Sequence, residues 1–140
     1  MVDKKTYKSH CPQYLGLDVF GDKWTLLILR DFIFFDNRHF NEFVTIENIS
    51  TNILTDRLNR LLENGIVKKE VDPKNKSSYL YSLTKKGLDL VPVVIGIYQW
   101  GAKYTEDNNA KKKFKKKVNS DFEAVVEEIK KKLIQTHGII

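Results

Sequence analysis

The stretch from residue 49 to residue 67 constrains the fold more than any other part of this sequence. Four leucines recur in it at helical spacing: Leu54, Leu58, Leu61 and Leu62. A helix with such a stripe must turn one face towards a core. Ser50 precedes the stripe, where its hydroxyl can accept a backbone N–H, and Gly65 follows it, where a left-handed residue commonly ends a helix. The pattern predicts an amphipathic helix over Ser50–Asn64.

The opposite face of this helix is polar. It combines amide, carboxylate and guanidinium groups with one small apolar side chain, at Asn52, Ile53, Asp56, Asn59 and Arg60, and it is flanked by Thr51, Thr55 and Arg57. These groups supply the donors, acceptors and methyl contacts with which a helix distinguishes base edges. An ordinary amphipathic surface helix is the alternative that this segment alone leaves open.

Composition favours one soluble globular domain with a polyanionic partner. The chain has 140 residues, 41% hydrophobic and 30% charged, with a formal net charge of +6. That length can bury a core without disulfides, and excess positive charge favours association with polyanions. No apolar run approaches the roughly 20 residues of a membrane span, and the N-terminus lacks the apolar core of a signal peptide. A cytoplasmic protein is expected.

The sequence offers little for catalysis or metal binding. It has one cysteine, Cys11, and three scattered histidines without metal-site spacing. Neither a glycine-rich phosphate loop nor a nucleophile elbow is present. We therefore expect neither an enzyme nor a protein with a metal or other cofactor.

The segments before the leucine helix complete a helical core. Residues 1–10 are polar and lysine-rich, as in a flexible arm, and a short helix is predicted over residues 12–20, ended by Gly21. Asp22 can cap the next helix, which is apolar on nearly every side and should be central, with Trp24 in the core. A short segment follows whose buried face is predicted at Phe40, Phe43 and Val44. After a turn at residues 47–48, the capped leucine helix completes a helix-turn-helix.

After Gly65 the periodicity changes from helical to alternating. Two short strands are predicted at residues 66–71 and 79–83, joined by a turn over Asp72–Ser78 that carries Lys74 and Lys76. A helix-turn-helix followed directly by a hairpin with a basic tip is the order of elements in a winged helix. The two lysines are either solvated loop charges or contacts to the DNA backbone or minor groove.

The rest of the chain, from Thr84 onwards, is predicted to be mostly helical. Thr84 should cap a strongly apolar helix that Pro92 kinks and that partly meets a second subunit. The lysine-rich run Lys111–Lys117 is either a solvated face or part of a DNA-binding surface. Ser120 and Glu123 form a capping-box pattern before a last helix. The narrow apolar stripe of that helix should pack on the same helix of a second copy: Phe122, Val125, Val126, Ile129 and Leu133.

Four ordered blocks give the sequence a family resemblance: CPQYLGLDVFGDKWTLLILRDF, RHFNEF, ISTNILTDRLNRLLENGIVKKEV and YSLTKKGLDLVPVVIGIYQWG. From about Cys11 to Gly101 the chain resembles the HxlR family of bacterial winged-helix regulators, relatives of the MarR group. The resemblance implies a homodimer that binds a pseudo-palindromic DNA operator, usually as a repressor and sometimes as an activator. It places the recognition helix at Ser50–Asn64 and the wing at Asp72–Ser78, and it names no small-molecule effector.

The expected fold is α+β, mostly α: a winged helix-turn-helix domain at residues 11–103 with flanking dimerisation helices. A flexible arm, 1–10, precedes it, and a basic linker with a C-terminal amphipathic helix, 104–140, follows. The DNA-contacting residues are expected to be Arg38, Ser50, Thr51, Asn52, Ile53, Thr55, Asp56, Arg57, Asn59, Arg60, Lys74, Asn75 and Lys76. Thr51 and Asp56 depart from the proline and glutamine common in the family, so the preferred base opposite Asp56 stays open.

Cys11 matches the cysteine that some members of the family use to sense oxidants or electrophiles. A helix N-terminus, with Lys8 and His10 nearby, favours the thiolate, which oxidises or links to its twin in a second copy. A small residue that merely seats the first helix is the alternative. Two functions therefore stand beside plain DNA binding: a thiol-based redox sensor, and a winged helix used only for protein interaction.

Overall fold

The computed structural model describes residues 8, 10–106 and 112–140. In chain order the elements are α1 Pro12–Phe20, α2 Lys23–Phe34, α3 Phe40–Phe43, α4 Thr51–Glu63, β1 Val67–Asp72, β2 Asn75–Leu83, α5 Lys85–Leu88, α6 Val91–Tyr104, α7 Lys112–Ser120 and α8 Phe122–His137. The mostly α winged-helix order predicted from the sequence is confirmed. Apart from Lys8 and His10, which are helical, the predicted arm lies outside the described residues, as do residues 107–110 of the basic linker and Lys111.

Helix α2 forms the centre of the core, as predicted. Asp22 caps it by accepting the backbone N–H groups of Trp24 and Thr25 at 3.0 and 3.1 Å. Four of its apolar side chains are buried: Ile28, Leu29, Phe32 and Ile33. Trp24 is only partly buried and packs against the edge of this cluster. Helices α4 and α6 pack directly against α2.

The first helix of the helix-turn-helix is a single turn, and one predicted core residue lies outside the core. Phe43 is buried, but Val44 is 41% exposed, so its predicted burial is wrong. The helix ends at Phe43, and the chain then bends, with Asn48 at a φ of 60°. Helical spacing therefore does not continue through Val44, and Ile46 enters the core instead.

The leucine helix α4 has the predicted caps and the predicted buried face. Ser50 Oγ accepts the backbone N–H of Ile53 at 3.1 Å, and Gly65 adopts a φ of 69° just beyond the helix. Leu54, Leu58 and Leu61 are buried, whereas Leu62 is partly buried at the edge of the cluster. Burying three leucines fixes the rotation of this helix about its own axis, because turning it would expose them.

The wing hairpin is longer and its loop shorter than the sequence predicts. Strand β2 begins at Asn75, which pairs with Asp72, so that only Pro73 and Lys74 form the loop. The predicted loop over Asp72–Ser78 is therefore wrong. Val71 pairs with Tyr79, so the register shifts within the hairpin. This irregularity inserts polar residues 76–78 into β2, which explains why their composition suggested a turn.

A break, and not a kink, separates the two helices after the wing. Thr84 caps α5, as predicted, by accepting the backbone N–H of Gly87. Helix α5 ends at Leu88, and Pro92 lies in the first turn of the separate helix α6. Proline fits a first turn because the N–H that it lacks has no helical partner there. The expected single kinked helix is thus wrong.

The C-terminal helices pack on their own chain. Asp121, not Ser120, caps α8, accepting the backbone N–H of Ala124 at 3.1 Å, while Ser120 ends α7. The predicted capping box is therefore wrong. Much of the apolar stripe of α8 is buried, at Val125, Val126 and Leu133, where the helix packs against α6, α7 and β2. The expectation that this stripe pairs with a second copy is also wrong, because the chain itself covers it.

Candidate nucleic-acid interface

The solvent-facing side of α4 is a continuous polar surface. Seven of the predicted contact residues are exposed on it: Ser50, Thr51, Asn52, Thr55, Asp56, Asn59 and Arg60. Ile53 is partly buried between this surface and the leucine stripe. The structure thus brings most of the predicted α4 residues together on one face, with the core leucines on the other.

Arg57 points away from that surface and holds α4 on α2. Its Nε donates to Asp22 Oδ1 at 3.0 Å, its Nη1 donates to Asp56 Oδ2 at 2.6 Å, and its side chain is 20% exposed. Hydrogen bonding to Asp22 raises the pKa of Arg57. Burial alone would raise the pKa of Asp22, but hydrogen bonds from Thr25 and Arg57 leave it below its ordinary value. Asp22 therefore joins the cap of α2 to the predicted recognition helix.

Arg60 and Asp56 form the charged pair of the exposed surface. Arg60 Nε lies 3.1 Å from Asp56 Oδ2, one helical turn away, and the arginine side chain is 56% exposed. Asp56 Oδ2 thus accepts a hydrogen bond from Arg57 and forms an ion pair with Arg60. A carboxylate shared in this way holds the Arg60 guanidinium over the helix surface while leaving its other donors accessible.

The guanidinium of Arg38 forms hydrogen bonds within the chain. Its Nε donates to the carbonyl of Tyr81 and its Nη1 to the carbonyl of Thr136, each at 3.1 Å, and its Nη2 donates to Ser82 Oγ. Burial lowers the pKa of this guanidinium. These bonds join the turn before α3 to β2 and to the last turn of α8. The structure does not bring Arg38 into the exposed α4 surface, and we leave it out of the DNA contacts proposed below.

Sequence reasoning missed the ion pair that fixes the turn before α4. Arg30 donates from Nη1 and Nη2 to the two carboxylate oxygens of Glu47, at 3.0 and 2.9 Å. Arg30 also pairs with buried Asp31 at 2.8 Å. Hydrogen bonding from Arg30 lowers the pKa of Glu47 to about 2. No local pattern points to this pair, since its partners are separated by 17 positions.

His39 connects the helix-turn-helix to the wing, a role that the sequence analysis did not assign. Its Nδ1 lies 2.7 Å from Glu42 Oε1 and its Nε2 lies 2.8 Å from Asp72 Oδ2. Both ring nitrogens therefore face carboxylates, and only the imidazolium can donate to both. The hydrogen bonds to Asp72 and then Glu42 raise the pKa of His39.

The tip of the wing is basic and exposed. Lys74 and Lys76 are exposed, and neither ammonium group has an ion-pair partner within the part of the chain that the structure describes. Asp72 Oδ1 accepts the backbone N–H of Lys74 at 2.9 Å, and Asn75 Oδ1 accepts that of Ser77 at 3.2 Å. The side chain of Asn75 thus shapes the tip, whereas the two lysines extend from it.

Cys11 lies away from these groups, at the start of α1. Its Sγ accepts the backbone N–H of Tyr14 at 3.4 Å, and the residue is partly exposed. None of the α1 residues is buried, and Tyr14, Leu15 and Leu17 are more than half exposed. The predicted position beside a helix N-terminus is confirmed, and reactivity stays a prediction.

Comparison with known proteins agrees with this geometry. The sequence profile of the family described as HxlR-like helix-turn-helix matches residues 19–109. The chain belongs to the HxlR family. YybR of Bacillus subtilis, named as an HTH-type transcriptional regulator, is 38% identical over 105 residues, which are 72% of this chain and 83% of YybR.

Two solved HxlR-like structures are those of regulators studied in different redox states. The oxidised form of the redox regulator HypR is 34% identical with a TM-score of 0.60, over 69% of this chain and 100% of HypR. The reduced form of the transcriptional regulator YodB of B. subtilis is 30% identical with a TM-score of 0.54, over 71% and 98% of the two chains. This HxlR chain is accordingly a transcriptional regulator with a helix-turn-helix DNA-binding fold.

Across residues 8, 10–106 and 112–140, no cluster of three or more histidine, cysteine or acidic side chains is arranged to hold a metal ion. Within the same ranges, no helix has the length and apolar character needed to cross a membrane. Residues 112–140 form α7 and α8, which follow the part of the chain matched by the family profile.

Proposed function

We propose that this protein is a homodimeric, sequence-specific DNA-binding regulator of the cytoplasm, acting as a repressor on a pseudo-palindromic operator and not as an enzyme. One observation carries the proposal: the exposed polar face of α4, from Ser50 to Arg60, is held rigidly by buried leucines beneath it. A helix fixed in this way can present the same side chains to each base pair of the major groove.

The proposed DNA-contacting residues of α4 and the wing divide into two classes. Asn52, Asp56, Asn59 and Arg60 contact base edges, with Ile53 and Thr55 supplying apolar contact. Ser50 and Thr51, at the N-terminus of α4, together with Lys74, Asn75 and Lys76 on the wing, contact phosphates and fix the docking. Arg57 acts indirectly by holding α4 against α2 through Asp22.

A homodimer is supported by two apolar surfaces that the chain leaves uncovered. Helix α1 exposes Tyr14, Leu15 and Leu17, and α6 exposes Trp100 and Tyr104, both with more than half of their surface accessible. Contiguous exposed apolar groups commonly mark protein interfaces. The proposal requires that two copies joined there place their α4 helices on half-sites about 34–36 Å apart, the spacing of one helical turn of DNA.

Selection of bound duplexes from a random DNA pool tests this proposal directly. We expect an enriched inverted repeat with half-sites spaced by about one helical turn, and light scattering should give a dimer. Binding that is specific should survive competition by random DNA. A dimer that shows no salt-dependent affinity for DNA would contradict the proposal and favour the protein-interaction module.

A second candidate function is a thiol-based redox sensor with DNA binding as its output. It is supported by the partly exposed Cys11 Sγ at the start of α1 and by the similarity to HypR, a redox regulator. Two Cys11 thiols from two copies would lose two electrons and two protons to an oxidant such as diamide, which becomes the hydrazine, and form one disulfide. Oxidised protein should then migrate as a reducible dimer with altered operator affinity. If Cys11→Ser responds to diamide like the unmodified protein, Cys11 only seats α1.

A further inference from the structure

His39 joins the helix-turn-helix to the wing through both nitrogens of its ring. Its Nδ1 lies 2.7 Å from Glu42 Oε1 in α3, and its Nε2 lies 2.8 Å from Asp72 Oδ2 at the end of β1. The Glu42 carboxylate is held in place, because its Oε1 also accepts the backbone N–H groups of Arg38 and His39 at 3.1 and 3.0 Å. The His39 side chain is 34% exposed, so its proton can exchange with solvent.

The Asp72 end of this bridge lies beside the loop of the wing. Asp72 Oδ1 accepts the backbone N–H of Lys74 at 2.9 Å, so the carboxylate that contacts His39 also shapes the loop. Arg38 binds the same hairpin at the carbonyl of Tyr81, which lies nearer its base. The contact with His39 therefore acts on the part of the wing that carries the basic tip.

The two contacts of the His39 ring require that it be protonated. The imidazolium carries an N–H on each nitrogen, whereas the neutral ring has one N–H and turns a lone pair towards the other carboxylate. At 2.7 or 2.8 Å two acceptors repel each other, so one contact must open when the proton is lost. Two backbone N–H groups hold the Glu42 carboxylate, and one holds that of Asp72. The contact with Asp72 is therefore the one that we expect to open.

The charged groups around the bridge are mostly acidic. They come from the turn before α3, from α3, from β1 and from the wing loop: Asp36, Arg38, Glu42, Glu70, Asp72 and Lys74. The hydrogen bonds to Asp72 and then Glu42 raise the pKa of His39 above its ordinary value of about 6.5. Loss of the His39 proton leaves these carboxylates in greater excess beside Lys74, which weakens the attraction of the wing for phosphate.

We propose that His39 is a positioning residue of the wing. Its protonated ring holds Asp72, and with it the loop that carries Lys74, against the helix-turn-helix, and loss of the proton releases that loop and weakens DNA binding. The effect on DNA rests on the proposed function, whereas the contact between the ring and the wing does not. The consequence is an affinity for DNA that falls as the pH rises and His39 loses its proton.

Nuclear magnetic resonance of the full-length protein tests the contact with the wing in the absence of DNA. We expect the backbone amide resonance of Lys74 to shift between about pH 5.5 and 8.5 with the same midpoint as the ring protons of His39. His39→Gln should abolish that midpoint. The amide of Ile53, which donates to the Ser50 hydroxyl, is the control and should not follow it. A Lys74 amide that does not follow the titration of His39 would overturn the proposal.

Fluorescence anisotropy with the selected operator at constant ionic strength tests the effect on DNA. The affinity of the unmodified protein should fall by about three- to tenfold across the same pH range, as expected when a phosphate contact is weakened. His39→Arg should bind tightly at every pH, because a guanidinium can donate to both carboxylates and stays charged. His10→Gln, which changes another exposed histidine, is the matched control and should keep the pH dependence. Burial lowers the pKa of the third histidine, His137, to about 4, so it stays neutral throughout.

An unchanged pH dependence in His39→Arg would overturn the proposal, because another group would then control the affinity. If the Lys74 amide follows His39 but the operator affinity is the same at every pH, the effect on DNA is refuted while DNA binding itself stands. If no variant binds DNA at any pH while the Lys74 amide still follows His39, the proposed function fails and the contact with the wing stands. Thermal unfolding at the acid end of the range checks that each variant is folded.

Discussion

The guanidinium of Arg38 donates a hydrogen bond from Nη1 to the carbonyl oxygen of Thr136 at 3.1 Å, across 98 positions of sequence. It joins the turn before α3 to the last turn of α8, in the part of the chain that follows the residues matched by the family profile. Next to it, the buried His137 Nδ1 accepts the backbone N–H of Leu83 at 2.8 Å. The C-terminal helix is thereby fastened to both the helix-turn-helix and the base of the wing.

Replacing Arg38 should lower the stability of the fold and should not act on DNA recognition directly. Arg38→Ala removes hydrogen bonds to the carbonyls of Tyr81 and Thr136, so we expect the free energy of unfolding to fall by about 2 kcal/mol. Urea denaturation measures this change, with Lys131→Ala on the exposed side of α8 as the control. A variant as stable as the parent but with weaker DNA binding would instead make Arg38 the DNA contact that its charge suggested.

Arg60 and Arg57 should separate recognition from stability. Arg60→Ala is expected to cost about 1–3 kcal/mol of specific binding, if Arg60 contacts a guanine, with little effect on unfolding. Arg57→Ala should lower both the affinity for the operator and the free energy of unfolding. It leaves Asp22 without its partner across the α2–α4 contact. Gel shifts on the selected operator, together with thermal unfolding, compare the two. Equal losses of stability in both variants would contradict this division.

The wing lysines should act on all DNA sequences alike. Lys74→Ala or Lys76→Ala is expected to weaken binding to operator and random duplex by the same factor. Each should reduce the slope of log affinity against log salt by about one, because one phosphate contact is lost. Lys85→Ala, an exposed lysine of α5 beyond the hairpin, serves as the control. A change confined to the operator would mean that the lysine contacts bases.

The His39 bridge should make stability depend on pH above neutrality. The pKa of His39 is raised in the folded state by the hydrogen bonds to Asp72 and Glu42, so its stabilising contribution is complete below the unfolded-state pKa of about 6.5. That contribution is lost as the pH rises through the higher folded-state pKa. Urea denaturation between pH 6 and 9 should show a decline that His39→Gln lacks. The same decline in both proteins would assign it to another group.

His137 should have the opposite effect on the acid side. Burial lowers its pKa to about 4, so that the neutral ring is favoured in the folded protein. Its contribution is complete above the unfolded-state pKa of about 6.5 and is lost as the pH falls towards about 4, a loss of about 3 kcal/mol in all. His137→Gln should be less stable at neutral pH but should lose less between pH 6.5 and 4. Parallel curves for the two proteins would contradict this assignment.

Local sequence signals were enough to predict the order of the elements through the wing and the polar face of α4. Those features depend on local chemistry: the leucine spacing of α4, the hydroxyl of Ser50 at its start, the positive φ of Gly65 after it, and the change to alternating residues in the wing. Each of these signals acts between residues that are close together in the sequence. Local chemistry does not show where an element is interrupted. The burial predicted for Val44, beyond the end of α3, and the loop predicted over residues 75–78, which belong to β2, were therefore wrong.

Which charged groups remain available for DNA depends on contacts between residues that are distant in sequence. Arg38, Arg57 and Arg60 look alike in sequence, yet only Arg60 stays on the exposed α4 surface, while the other two bind Thr136 and Asp22. The same holds for the stripe of α8, which could have faced a second copy but is covered by its own chain. Partners separated by tens of residues meet only after folding, because packing of the core sets the distances between them.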